Sequence, residues 1–204
     1  RNHVSHDSSL PSDAPLVDDA VVQRVVAAGL ERGADFAELF VEEKRSSSAL
    51  LDDGRVEELT SGRDRGAGVR VVVGDSTGFA HTSDLSEQGL LAAARTAAAA
   101  ARGSGSGTTV VALDRVDAPR PNTVRLQPGE VPKARKVELL VAADEMARSE
   151  GAAITQVAAR YADSRRRILV ANSDGTLAGD DQVKTLFSVS CVASGDAGMQ
   201  TGRE

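Results

Sequence analysis

The chain has 204 residues, 41% of them hydrophobic, which suits one domain or two small ones with a real core. Only 2% are aromatic and none is Trp, so that core must be built from Val, Leu and Ala. A net charge of −6 argues against a nucleic-acid surface, which is normally basic; the single cysteine excludes an internal disulfide and suits a reducing cytoplasm; no apolar run approaches the roughly 18–20 residues of a membrane span.

The first residue is Arg1 rather than Met, so a trimmed chain or a fragment is expected, and no basic region followed by an apolar one suggests a signal peptide. Residues 1–16 are polar and read as a disordered lead. Asp18 or Asp19 can cap a helix running to Arg32, with Val21, Val22, Val25, Val26 and Leu30 on one face and Gly33 as its stop. Residues 35–43 alternate as a strand, Ala37, Leu39 and Val41 on one side and Phe36, Glu38 and Phe40 on the other. Residues 47–51 continue extended, Asp53-Gly54 signals a type I′ hairpin, and 55–60 return from it. Gly62-Arg-Asp-Arg-Gly66 reads as a turn. A second hairpin then follows, with Val69, Val71 and Val73 on one strand, a turn at Gly74 to Ser76, and Thr77, Phe79 and His81 sharing a face of the other.

Asp84 is expected to cap an alanine-rich helix over residues 85–102, and the Gly/Ser run 103–107 to be a flexible connector. Residues 109–113 form a short expected strand. Residues 114–132 hold four of the six prolines and read as a surface connection and a possible internal boundary. Pro132 opens a further helix whose apolar face is Val137, Leu140, Val141 and Ala147, ending at Gly151. The last quarter repeats the plan: a strand with Val157, Ala159 and Tyr161, a charged turn at 163–166, a strand at 168–171, a turn at Asn172 to Gly175, a return at 176–178 and a long strand at 182–193. The fold class expected is α+β, antiparallel β-meanders with about three packed helices.

No catalytic constellation is assembled by these residues. Of three histidines, His3 and His6 lie in the lead with Asp7, where a solvated tail is the plain reading, and His81 stands alone on a strand. A catalytic zinc needs about three protein ligands and an open position. Cys191 falls within an apolar alternation, where a thiol is usually inert. Ser46, Ser47 and Ser48 have no histidine near them in sequence and read as a polar edge strand. The glycines at 62, 66, 68, 74 and 78 match neither a Walker A motif nor a G-x-G-x-x-G opening a helix, so they read as turn residues. The paired acids Asp52-Asp53 and Glu57-Glu58 read as a solvated edge, and Arg165-Arg166-Arg167 as a run facing carboxylates or a partner.

The stretch GADFAELFVEEKRSSSALLDDGRVEELTSGRDRGAGVRVVVGDSTGFAHTSDLS resembles the N-terminal region of the TldD/PmbA family, often labelled modulators of DNA gyrase, and ILVANSDGTLAGDDQ resembles its later strand-turn-strand. The likeness runs from about Val17 to the end, so residues 17–204 are expected to form a family-type N-terminal α/β domain. The SSS-x-LL-x-DG, G-x-G-x-R and T-G-F-A patterns are closer to the TldD branch. The resemblance implies a cytoplasmic zinc metallopeptidase that degrades or trims unfolded peptides, working as a homo-oligomer or with a PmbA-type partner subunit on an extended peptide substrate. It also places the zinc motif, H-E-x-x-x-H, and a cysteine ligand in a C-terminal half beyond Glu204. No catalytic, cofactor or metal residue therefore transfers to this chain, and no nucleic acid or membrane partner is expected. The implied role is a non-catalytic part that shapes the substrate channel and the subunit contact. The alternative is a free-standing protein-interaction module.

Overall fold

The computed structural model describes residues 14–101, 112–116, 124–196 and 198–204. Most of the lead with His3 and His6, the connector at 103–107, residues 109–111 and the middle of the proline-rich stretch lie outside them. The described chain runs α1 (Asp19–Leu30), β1 (Phe36–Asp52), β2 (Arg55–Val73), β3 (Ser76–Thr82), α2 (Glu87–Ala100), β4 (Asp114–Val116), a 3-10 turn at Pro128–Glu130, α3 (Lys133–Ser149), β5 (Ile154–Asn172), β6 (Thr176–Gly195) and β7 (Gly198–Arg203). The strands are ordered β3-β2-β1-β5-β6-β4, with β7 also on β6. The α+β expectation holds. The sheet is antiparallel apart from β4, which runs parallel to β6 with Asp114 opposite Thr176. By contact the chain divides into two compact units.

The first unit draws on the stretch up to Val41, Gly66–Val116 and Leu169–Ala178. Its core is aliphatic, as the composition requires. Val22, Val25, Val26 and Leu30 of α1 and Leu90, Ala94 and Ala97 of α2 pack with Ala37, Leu39 and Val41 of β1 and Val69, Val71 and Val73 of β2. The Asp18 carboxylate caps α1 by accepting from the Ala20 amide at 2.9 Å, and Gly33, at φ +77°, ends the turn after it. The cap of α2 is Ser86, not Asp84. Asp84 instead accepts from the Ser86 amide at 2.9 Å, a local turn that delays the helix by two residues, and Ser86 Oγ accepts from the Gly89 amide at 3.2 Å. The alanines of α2 let β3 approach closely: a Cβ on Gly78 would lie 2.0 Å from the Ala97 carbonyl oxygen.

Of the strand expected at 109–113 only residues 112 and 113 are described, and they are not strand; β4 lies at Asp114–Val116, inside the expected connection, where the Asp114 amide donates to the Gly175 carbonyl at 2.7 Å.

The second unit draws on Glu42–Arg65, Asp117–Ile168 and Gly179–Glu204. The turns expected at 62–66 and 163–166 are absent; β2 and β5 run straight through them. Gly62 and Gly66 do not take positive φ. The charged residues that suggested turns have partners on other strands: Arg63 pairs with Glu43, Arg165 with Asp181 and Arg166 with Glu42. An extended backbone accommodates such residues when each charge finds an opposite one across the sheet. The strand expected at 182–193 is the end of a longer one, and β7 is a further strand the sequence pattern did not show. The Asp53-Gly54 turn is as expected, with φ of +47° and +77°, the type I′ signature.

The apolar face expected for α3 is only partly correct. Its buried stripe is Lys136, Leu140 and Asp144, at i, i+4 and i+8, whereas Val141 is 37% exposed. The small core beneath consists of Ala49, Leu51, Leu140, Ala159 and Tyr161, with Ala143 and Val189 packed against it.

Two substitutions test these local constraints. Gly54→Val places a branched side chain at positive φ and should cost about 1 kcal/mol or more in a chemical-denaturation experiment. Gly78→Ala drives a methyl into the α2 backbone and should cost roughly 1–3 kcal/mol; an unchanged melting curve would mean that β3 and α2 are not in this contact.

Candidate functional site

The second unit carries an open groove of about 690 Å³ formed by β1, β2, β5 and β6. Its lining joins Lys44, Ser46, Ser47 and Ser48 of β1, Thr60 of β2, Asp163 and Ser164 of β5, and Lys184 and Thr185 of β6 with apolar surface from Ala162, Val183 and Leu186. A smaller recess of about 290 Å³ shares Lys44, Ser164 and Lys184 and adds Glu42, Arg166 and Gln182.

Ser47 and Asp163 belong to a network under α3. Lys136 Nζ donates to Asp163 Oδ2 at 2.5 Å and to Ser47 Oγ at 2.8 Å, and Ser47 Oγ donates to the same carboxylate oxygen at 2.9 Å. The lysine and aspartate side chains are each 6% exposed. The ammonium also lies 5.3 Å from the centre of the Tyr161 ring, a cation–π distance. Burial pushes the Tyr161 phenol up to about 12, reinforced by its hydrogen bond with Asp163 and by that carboxylate's charge, so it stays a neutral donor.

A serine beside a lysine raises the question of nucleophilic catalysis. Such a serine needs a base that can take its proton. Here the lysine is ion-paired to a carboxylate and donates toward Ser47, and the serine proton is already directed to Asp163. The arrangement is a buried ion pair with its hydrogen bonds filled, and it does not activate Ser47. A second cluster joins Glu43 to Arg63 and Arg45. Burial alone would raise the Glu43 carboxyl, but the two guanidiniums outweigh it and hold it below its ordinary range.

His81 is exposed and stacks at 6.4 Å on Phe79, itself 61% exposed. Cys191 is half-buried. Among the described residues, no group of three or more His, Cys, Asp or Glu could hold a metal ion. No helix of the described residues is long and apolar enough to cross a membrane. Sequence reading missed the Ser47–Lys136–Asp163 association because these residues are 89 and 116 positions apart and carry no local motif.

Residues 37–101 match the family description PmbA/TldA metallopeptidase domain 1, and residues 126–204 match the PmbA/TldA metallopeptidase central domain. A metalloprotease TldD homologue of Haemophilus influenzae is 29% identical over 172 residues, 84% of this chain and 36% of that protein. A metalloprotease of Methanothermobacter thermautotrophicus is 32% identical over 179 residues, 86% of this chain and 38% of that protein. The chain thus spans well under half the length of these relatives. Among solved structures, a Thermotoga maritima protein named as a modulator of DNA gyrase superposes with a TM-score of 0.71 at 16% identity, covering 90% of this chain and 41% of that one. TldE of Thermococcus kodakarensis superposes with a TM-score of 0.68 at 15% identity, covering 90% and 42%. At these identities the two structures speak to the fold alone.

The buried pair has two measurable consequences. Lys136→Met strands Asp163 without a counter-charge and should destabilise by about 3–5 kcal/mol, whereas Lys136→Met/Asp163→Leu should recover most of that loss. A double variant as unstable as the single one would show that the pair is not the source. Tyr161 is the only tyrosine and there is no Trp, so tyrosinate absorbance reports it directly. Its folded pKa lies above the unfolded one, so its contribution to stability is full below pH 10 and is lost as pH rises from 10 toward about 12. The folded chain should therefore titrate near 12 and the urea-unfolded chain near 10.

Proposed function

This chain belongs to the PmbA/TldD family, and we propose from that membership that it is the N-terminal, non-catalytic part of a TldD-type zinc metallopeptidase acting on unfolded peptides. The observation that carries the reading is the order of the two matches, the family's first domain followed by its central domain, over a chain spanning 36–38% of its metalloprotease relatives. The donor set of the described residues does not fit zinc, so no hydrolytic step is assigned to this chain.

In this reading the chain supplies a wall of the substrate channel and part of a subunit contact. The strand β3 ends the strand order and leaves one edge without a paired strand among the described residues. Such an edge can hydrogen-bond to an extended peptide through backbone groups alone, which suits a peptidase of unfolded chains. Phe79, standing out from that strand, supplies apolar surface for a second copy or a PmbA-type subunit. The working compartment is the cytoplasm.

The reading is tested in two steps. Purified and dialysed, the chain should hold no stoichiometric zinc and should leave unfolded casein intact with zinc added; tight zinc with chelator-sensitive cleavage would overturn the non-catalytic assignment. The reading frame that follows Glu204 should encode H-E-x-x-x-H. A stop codon directly after Glu204 would favour a free-standing interaction module instead.

A further inference from the structure

We propose that the open groove of the second unit is a binding site for acidic segments of polypeptide, with Lys44 and Lys184 as its cationic poles. The site holds whether or not the chain forms part of a peptidase. Lys44 lies on β1 and Lys184 on β6, the two strands that flank β5, and both side chains line both recesses together with Ser164 of β5.

The two acids that line the recesses, Asp163 and Glu42, are already engaged, as are Asp180 and Asp181 on β6. Asp163 is held by Lys136 and Ser47, Glu42 by Arg166 and Asp181 by Arg165, while Asp180 accepts from the Gln182 amide and lies in the field of Arg166. Lys44 and Lys184 have no ion-pair partner among the described residues. Their charges therefore remain open to a ligand, on a chain whose net charge of −6 would otherwise repel an anion. Ser46, Ser48 and Thr60 add hydroxyls along the groove; Ser48 and Thr60 already bond each other at 2.7 Å, and each retains further capacity.

The ligand class follows from size and charge. Recesses of about 690 and 290 Å³ sharing three residues offer far more room than one small anion fills. Lysine presents a point charge with three donors and imposes no planar geometry, so it suits carboxylates spaced along an extended chain. The Ser164 hydroxyl, on the strand between the two cations, can meet a peptide group between those carboxylates.

The test is fluorescence anisotropy of the 204-residue chain with a labelled oligoglutamate peptide, an oligolysine peptide of equal length, and inorganic phosphate as competitor. Oligoglutamate should bind, oligolysine should not, and binding should weaken as salt is raised. Lys44→Gln/Lys184→Gln should weaken oligoglutamate binding by about tenfold or more, while Arg32→Gln/Arg95→Gln, the same charge change on two exposed residues of the first unit, should change it by less than about twofold. Both lysines are exposed, so the variant should melt like the parent chain. Equal binding of the two peptides, an equal loss in Arg32→Gln/Arg95→Gln, or phosphate binding without peptide binding would each overturn the proposal. Binding is read without cleavage, so an inactive chain that binds oligoglutamate separates this site from the peptidase reading.

Discussion

Lys136 and Asp163 meet almost out of water, and the second unit depends on how completely they satisfy each other. Removing two charges from solvent costs several kcal/mol per ion, and attraction offsets it only with good geometry and filled hydrogen bonds. Ser47 closes the third side and the Tyr161 face covers the ammonium. The same contacts set where α3 lies, because Lys136 sits on its first turns while Ser47 and Asp163 sit on β1 and β5. At its other end Arg148 reaches both Asp144 and the hairpin residue Asp53. One leucine, Leu140, fills the space between the two ionic anchors.

The two units therefore use different physics. The first is an aliphatic core under two helices, insensitive in detail to the order of its valines and alanines so long as one face stays apolar. The second has few apolar residues to bury and relies on pairing charges across strands. A consequence is a pair of recesses whose lining acids, Glu42 and Asp163, are ion-paired while Lys44 and Lys184 are not, which is the feature the proposed site for an anionic chain rests on.

The functional reading rests on family membership more than on any local constellation. Among the described residues no donor group could hold a metal ion, Ser47 is held by a satisfied ion pair, and one strand edge and a groove are open. The open edge and the groove are the features on which the proposed substrate-handling role rests.

Much was legible in the sequence because it depends on neighbours in the chain. Alternating valines predict the β2 face, two residues able to take positive φ predict the turn at Asp53-Gly54, and alanine content predicts α2. The α+β class and the family likeness follow from the same local patterns. The runs at 62–66 and 163–166 were misread because charge and glycine mark turns only when their charges stay in solvent, and here Glu43, Glu42 and Asp181 lie across the sheet from them. The buried face of α3 was misread for the same reason, since Lys136 and Asp144 default to solvent in any pattern-based reading. Partners 89 and 116 residues away exist only once the strands are aligned, so tertiary structure alone decided which charges are buried and which remain free.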